Sequence, residues 1–180
     1  PPHHIYESLM VALVPMAHVD DPERALVVGL GAGVTVDALL ELGAGRVDVI
    51  ELEPDVVEGL GHIFPEDASP LRSPKVNLRV GDARHVLLVE SQRGGAKYDV
   101  ITSMPAHPWV ASNIFTKEFF EVARASLSED GVFSTWFGLG RMDEASVSSL
   151  ARAFALTFEN YVIYRLEAAG ALYLVGSKRP

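Results

Sequence analysis

Ala25-Leu26-Val27-Val28 runs without a break into Gly29-Leu30-Gly31-Ala32-Gly33, and this junction constrains the fold more than any other feature. A run with no polar residue on either face suits a strand buried on both sides, as in a parallel sheet wrapped by helices. Glycines after it permit dihedrals closed to other residues and let another group approach the backbone closely. A helix follows near Val34, with Val36, Leu39 and Leu40 at core spacing. Its free amides and the positive end of its dipole point back at the turn.

The same alternation continues along the chain. β-Branched and apolar runs predict strands at Arg24–Leu30, Arg46–Leu52, Lys75–Val80, Tyr98–Ser103, Gly131–Phe137, Tyr161–Leu166 and Ala171–Gly176. Helices are predicted at Ile5–Val14, ending at Pro15, and at Pro54 onward, where Pro54 sits at a first helical position before Val56, Val57 and Leu60. Ala83–Ser91 is a shorter one. Thr116 can cap a helix whose Phe119, Phe120, Ala123 and Leu127 share a face, and Asp143–Phe158 carries Val147, Leu150, Ala151, Phe154 and Phe158 at the same spacing. Glu167-Ala168-Ala169-Gly170 reads as a hairpin connection, and Asp67–Pro74 as the most irregular loop. The expected fold is α/β: a mostly parallel, Rossmann-like sheet of seven strands with helices on both faces and an antiparallel hairpin at its end.

With 180 residues, 48% of them apolar and 22% charged, the chain is expected to form one globular domain over residues 1–180. A formal charge of −9 argues against nucleic acid as a partner. The absence of cysteine excludes disulfides, thiolate metal sites and thiol nucleophiles. No apolar run reaches the ~18 residues of a membrane span, and Pro1-Pro2-His3-His4 does not open a signal peptide. A cytoplasmic location is the default. The chain does not begin with Met, which leaves open that it is a piece of a longer protein.

Val49-Ile50-Glu51-Leu52-Glu53 places an acid at the end of the second strand, close to the ~20-residue offset at which such carboxylates meet ribose hydroxyls. The spacing GxGxG, rather than GxGxxG, leans towards nucleosides of the S-adenosylmethionine type over dinucleotides. Gly81-Asp82-Ala83 ends the third strand, where Asp82 can accept from an adenine amino group, cap the following helix, or do both. The candidate nucleoside contacts are therefore Gly29, Gly31, Ala32, Gly33, Glu51, Leu52, Asp82, Ala83 and Ser103, all at the carboxyl ends of predicted strands or in the turns after them.

Taken together, these segments resemble the spermidine synthase family, the polyamine aminopropyltransferases, over nearly the whole chain from Tyr6 onward. Gly29-Leu30-Gly31-Ala32-Gly33 stands where that family has Gly-Gly-Gly-Asp-Gly, and Ile50-Glu51-Leu52-Glu53 matches its ribose-binding Val-Glu-Ile-Asp. Gly81-Asp82-Ala83-Arg84 matches its adenine-side Gly-Asp-Gly-Arg, and Tyr98-Asp99-Val100-Ile101 its fourth strand. Pro108-Trp109-Val110-Ala111 through Phe115-Thr116-Lys117-Glu118-Phe119-Phe120 is most similar to a bacterial branch in which the domain is often attached to a transporter-like membrane segment. The resemblance implies a class I methyltransferase-like sheet that binds decarboxylated S-adenosylmethionine or S-adenosylmethionine. It also implies an amine acceptor, such as a polyamine, that attacks the sulfonium carbon while a carboxylate orients the amine and takes its proton.

The chain departs from that pattern where the chemistry sits. The family's Asp-Ser-Ser-Asp-Pro aligns with Met104-Pro105-Ala106-His107-Pro108, so Met104 and His107 replace two acids, and Ala32 replaces the aspartate of the glycine turn. A thioether takes no proton. His107 has the ordinary pKa of a base (~6.5) and is the one catalytic candidate, with Tyr6, Met104 and Trp109 as candidates to line the acceptor pocket. The family's N-terminal β-domain, which covers the acceptor site and contributes to association, has no counterpart in this chain, and a homo-oligomer stays open. His3 and His4 are adjacent and His18, His62 and His85 scattered, so no metal site is expected. No G-x-S-x-G elbow or P-loop lysine is present. The expectation is an adenosyl-sulfonium-binding domain, with turnover left open; if it catalyses, the reaction is transfer of an aminopropyl or methyl group to a small nucleophile such as an amine. A methyltransferase and a binding or regulatory module without turnover are the alternatives.

Overall fold

Strands that are apolar on both faces need cover on both, and the chain supplies it with helices packed on either side of one sheet. The computed structural model describes residues 2–63, 69–104, 112–167 and 170–179. Its strands are β1 (Arg24–Val28), β2 (Arg46–Glu51), β3 (Val76–Val80), β4 (Tyr98–Ser103), β5 (Leu127–Gly138), β6 (Asn160–Leu166) and β7 (Ala171–Ser177). Its helices are α1 (Pro2–Met16), α2 (Val34–Glu41), α3 (Pro54–Ile63), α4 (Ala83–Gln92), α5 (Lys117–Ser126) and α6 (Glu144–Thr157).

The strands form one sheet in the order β3-β2-β1-β4-β5-β7-β6, parallel from β3 through β5, with β7 antiparallel to both β5 and β6. Strand order reverses between β1 and β4, where Val28 lies in register with Ile50 on one side and Ser103 on the other. In an open α/β sheet such a reversal opens a crevice at the carboxyl ends of the strands.

Alternate residues of the strands serve two cores. Leu26, Val28, Ile50 and Ile101 face α4, α5 and α6, where Phe119, Phe120, Phe133, Phe154 and Phe158 are fully buried. Phe120 meets Phe154 edge-on at 5.3 Å, and Phe133 stacks on Phe158 at 5.7 Å, both favourable arrangements for aromatic pairs. Val27, Val49 and Val100 face the other way, with Ala12, Val36, Leu39 and Leu60. Caps follow the expected chemistry: the side chains of Asp82, Thr116 and Asp143 accept amide hydrogens in the first turns of α4, α5 and α6.

The architecture agrees with the expectation from sequence, while several boundaries move for identifiable reasons. β1 stops at Val28 because Gly29, at φ +92°, turns the chain. β5 begins at Leu127, which was expected to close α5: a bulge between Tyr98 and Val100 brings Leu127 beside Tyr98, and Ser128 Oγ donates to Asp99 Oδ1 at 2.7 Å. α1 continues through Pro15 to Met16. Of the loop expected at Asp67–Pro74, Pro70–Arg72 form a 3-10 turn. In the hairpin connection the Gly170 amide donates to the Glu167 carbonyl at 3.0 Å.

Candidate functional site

The glycine turn is built around a buried carboxylate. Gly29 donates its amide to the Ile50 carbonyl at 2.9 Å, which ties the end of β1 to the end of β2. Leu30 is then buried as a plug, and its amide donates to Glu51 Oε2 at 2.6 Å. Glu51 Oε1 accepts from the Glu53 amide at 2.9 Å. Each carboxylate oxygen retains a second lone pair, so these amides fix the group without using up its capacity to accept. Glu51 is 7% exposed, whereas its neighbour Leu52 is 55% exposed at the mouth of the crevice. Gly31 and Ala32 are exposed at the tip of the turn. Gly33 begins α2 at φ +76°, and a Cβ there would stand 2.7 Å from the Pro70 ring.

The end of β3 lies alongside. Gly81 donates its amide to the Glu51 carbonyl at 2.8 Å, which sets Asp82 next to the same crevice. Asp82 caps α4 with a single oxygen: Oδ1 accepts from Arg84 at 2.8 Å and from His85 at 3.2 Å. No described residue hydrogen-bonds Oδ2. Capping and ligand contact are thus compatible in one side chain. Ala83 is buried behind it.

β4 supplies the third side. Ser103 is 1% exposed, and its hydroxyl has no partner among the described residues. The Met104 amide approaches the Val28 carbonyl at 3.4 Å, and its carbonyl lies 3.5 Å from the point a Gly29 Cβ would occupy. Met104 is half-buried against the cluster of Val11, Ala171 and Tyr173, with Ser8 Oγ 3.8 Å from Sδ. Tyr6 is on α1 and largely exposed. The candidates Gly29, Gly31, Ala32, Gly33, Glu51, Leu52, Asp82, Ala83, Ser103 and Met104 therefore converge on the carboxyl ends of β1 to β4. His107 and Trp109 lie outside the described residues.

Sequence reasoning passed over Trp136 and Tyr173, which belong to the small apolar cluster that Met104 joins. The Tyr173 hydroxyl donates to the Glu7 carbonyl at 3.3 Å, and its phenol is pushed above the ordinary tyrosine range, by burial first and then by the charge of Glu7 and by Tyr6. No local motif marks these positions. Only the pairing of Trp136 with Tyr173 across β5 and β7 brings them together. Among the described residues no group of three or more His, Asp or Glu side chains is placed to hold a metal ion, and no helix is long and apolar enough to cross a membrane. Glu51 and Asp82 present acceptors to a ligand that carries hydroxyl or amino donors.

Comparison with known proteins gives a consistent outcome. Residues 3–167 match the family described as the spermine/spermidine synthase domain. The chain is 34% identical over 137 residues to a polyamine aminopropyltransferase of Bacillus cereus, which covers 71% of this chain and 48% of that protein. It is 32% identical over 130 residues to spermidine synthase 2 of Datura stramonium, covering 70% of this chain and 39% of the relative. The chain thus spans about half the length of such relatives, or less. In three dimensions it resembles a spermidine synthase solved with the transition-state analogue AdoDATO, with a TM-score of 0.84, 21% identity, and coverage of 97% of this chain and 61% of that one. Human methyltransferase-like protein 13, solved with SAH, gives a TM-score of 0.74 at 19% identity and covers 99% of this chain and 82% of that one.

Proposed function

Because the chain belongs to the spermine/spermidine synthase domain family, we propose that it binds an adenosyl sulfonium, decarboxylated S-adenosylmethionine or S-adenosylmethionine, across the carboxyl ends of β1 to β4. The observation that carries this reading is the placement of two acceptor carboxylates, Glu51 and Asp82, at the ends of the adjacent strands β2 and β3, next to the glycine turn that follows β1. Glu51 would take the ribose hydroxyls and Asp82 Oδ2 the adenine amino group. Ser103 offers a further hydroxyl from the end of β4.

The reaction that fits is transfer of the aminopropyl group to an amine. The amine nitrogen displaces the thioether, and methylthioadenosine leaves. The protein's part is to hold nucleoside and amine in line and to accept a proton. A second reading, methyl transfer from S-adenosylmethionine, is favoured by one specific position. Ala32 offers no carboxylate to a free aminopropyl nitrogen, and methyl transfer makes no demand for one.

Calorimetric titration of the chain with methylthioadenosine, decarboxylated S-adenosylmethionine and S-adenosylmethionine tests the site. A micromolar constant, worth about 8 kcal/mol, is the expected result, and the tighter sulfonium names the group transferred. Product analysis then separates an aminopropylated amine with methylthioadenosine from a methylated acceptor with adenosylhomocysteine. Binding of none of the three sinks the proposal. Tight binding without either product would leave a binding module.

A further inference from the structure

A strand at the end of a sheet leaves alternate amides and carbonyls unpaired, and proteins ordinarily guard such an edge with lysine, proline, a bulge or a covering element. β6 ends the sheet beyond β7, and among the described residues no other strand pairs with it. Its own sequence, Asn160-Tyr161-Val162-Ile163-Tyr164-Arg165-Leu166, contains neither Pro nor Lys, and its register with β7 runs unbroken over all 7 residues. Tyr161, Ile163 and Tyr164 are exposed large side chains, and no residue of the strand is fully buried. Both faces of the strand are nonetheless held in place. The Tyr161 ring meets Phe154 of α6 edge-on at 6.3 Å, and on the other face Tyr164 Oη lies 2.9 Å from His18 Nε2. The opposite edge differs: β3 is 5 residues long, and its Asn77 and Arg79 side chains are committed to Asp48 and Glu90.

We propose that β6 is a docking edge for β6 of a second copy of this chain, paired antiparallel about a two-fold axis normal to the sheet. Such an axis keeps each face of the sheet on its own side. Directly opposed residues must then share a face, so the axis passes through one residue of the strand. Charge selects that residue. An axis at Ile163 would set Glu159 against Glu167 of the second copy, like against like. An axis at Val162 sets Glu159 against Arg165 of the second copy, and by symmetry it does so twice. In that register Tyr161 opposes Ile163 of the second copy on the α6 side, and Val162 meets its own counterpart on the other. Arg165 is available for the exchange, because its ion pair with Glu167, at 3.9 Å and exposed on both sides, is worth little. β6 lies at the far end of the sheet from the crevice between β1 and β4, so the pairing joins two sheets into one and leaves both glycine turns open. The inference goes beyond the nucleoside reading and does not depend on it.

Sedimentation equilibrium of the chain, from micromolar to submillimolar concentration, tests it. The unaltered chain should form a dimer and no larger species, because the pairing is closed once both β6 edges are used. Arg165→Glu and Glu159→Arg should each weaken the dimer about tenfold. The two changes combined should restore it, since the opposed charges are unlike again. Ile163→Lys, which guards the edge, should leave a monomer. All these positions are exposed, so circular dichroism and thermal unfolding of the diluted variants should match the unaltered chain and report that each is folded. A chain that stays monomeric over the whole range overturns the inference. A dimer unchanged by both single reversals also overturns it, because the contact then lies elsewhere. So does a combined exchange that is no tighter than either reversal alone.

Discussion

The hydroxyl of Thr102 donates at 2.9 Å to the carbonyl of Val11, the carbonyl whose helical partner would have been the amide that Pro15 lacks. A proline inside a helix orphans the carbonyl four residues earlier, and Val11 is buried, so water cannot repair the loss. A strand residue does so instead, which lets α1 run on to Met16 and hold its place over the sheet. Thr102→Val keeps the shape and removes the donor. It should cost about 1–3 kcal/mol, read as a lower urea midpoint at unchanged slope. Pro15→Ala returns an amide to Val11, so Thr102→Val should cost less in that background. An equal cost in both backgrounds would contradict this account.

That relationship also marks where the sequence stops being legible. The strands were readable because apolar runs such as Ala25–Val28 suit nothing but a two-sided core, and Glu51 because its spacing from the glycine turn is a backbone property. The Pro15 boundary was misread because the compensating hydroxyl comes from Thr102, distant in sequence. β5 was read short because Ser128-Glu129-Asp130 looks like a turn until Asp99 and the bulge at Tyr98 are in place. Glu7 and Tyr173 carry no periodic or motif signal, and their contact exists only after β7 has paired with β5.

At the opposite end of the sheet, Asp48 is held by Arg24 at 2.8 Å, Asn77 at 3.1 Å and Arg46 at 3.3 Å. Burial is the largest single influence and opposes its charge. The hydrogen bonds from Arg24 and Asn77 with the Arg24 guanidinium charge outweigh it, and the carboxyl is held below its ordinary range. A lowered folded pKa contributes stability that is complete above the unfolded value of ~3.9 and lost as pH falls through the lower, folded one. Asp48→Asn should therefore cost about 1–3 kcal/mol at neutral pH, and the gap should narrow as pH drops below ~4. Urea midpoints of both proteins between neutral and acid pH check it, and a gap that does not change with pH excludes it.

Two glycines of the turn make unequal demands. Gly31 has φ +52° with open space where a Cβ would go, so Gly31→Ala meets only the left-handed backbone penalty of about 1–2 kcal/mol. Gly33 has φ +76°, and its Cβ would press on the Pro70 ring at 2.7 Å. Gly33→Ala should cost about 2–4 kcal/mol in all. Thermal unfolding of the two variants side by side gives the comparison. Equal costs would mean that the Pro70 turn yields freely.

Glu51 ties the proposed ribose contact to the stability of the turn. Both oxygens accept backbone amides, so Glu51→Gln must turn its NH2 towards the amide of either Leu30 or Glu53, donor against donor. On the proposed nucleoside reading it also loses the charge that would strengthen bonds to ribose hydroxyls. Methylthioadenosine binding should weaken by about 10- to 100-fold, the equivalent of 1.5–3 kcal/mol. Calorimetry measures it. An unchanged constant would show that the ribose is held elsewhere.

Ala32 offers the sharpest discrimination between the two transfer chemistries. It is exposed at the tip of the turn, between Gly31 and Gly33, so a longer side chain there meets solvent rather than core. A carboxylate at this tip would attract the free ammonium of decarboxylated S-adenosylmethionine. It would act less favourably on S-adenosylmethionine, whose own carboxylate accompanies the ammonium. Because the position is exposed, the charge is screened, and each effect should be near 1 kcal/mol, about fivefold in affinity. Ala32→Asp should therefore tighten binding of the decarboxylated nucleoside and weaken that of S-adenosylmethionine, while methylthioadenosine, which carries neither group, binds as before. Both shifts should shrink as salt is raised. A variant that changes all three ligands alike would mean that the turn had been distorted, and that the tip does not face the departing chain of the sulfonium.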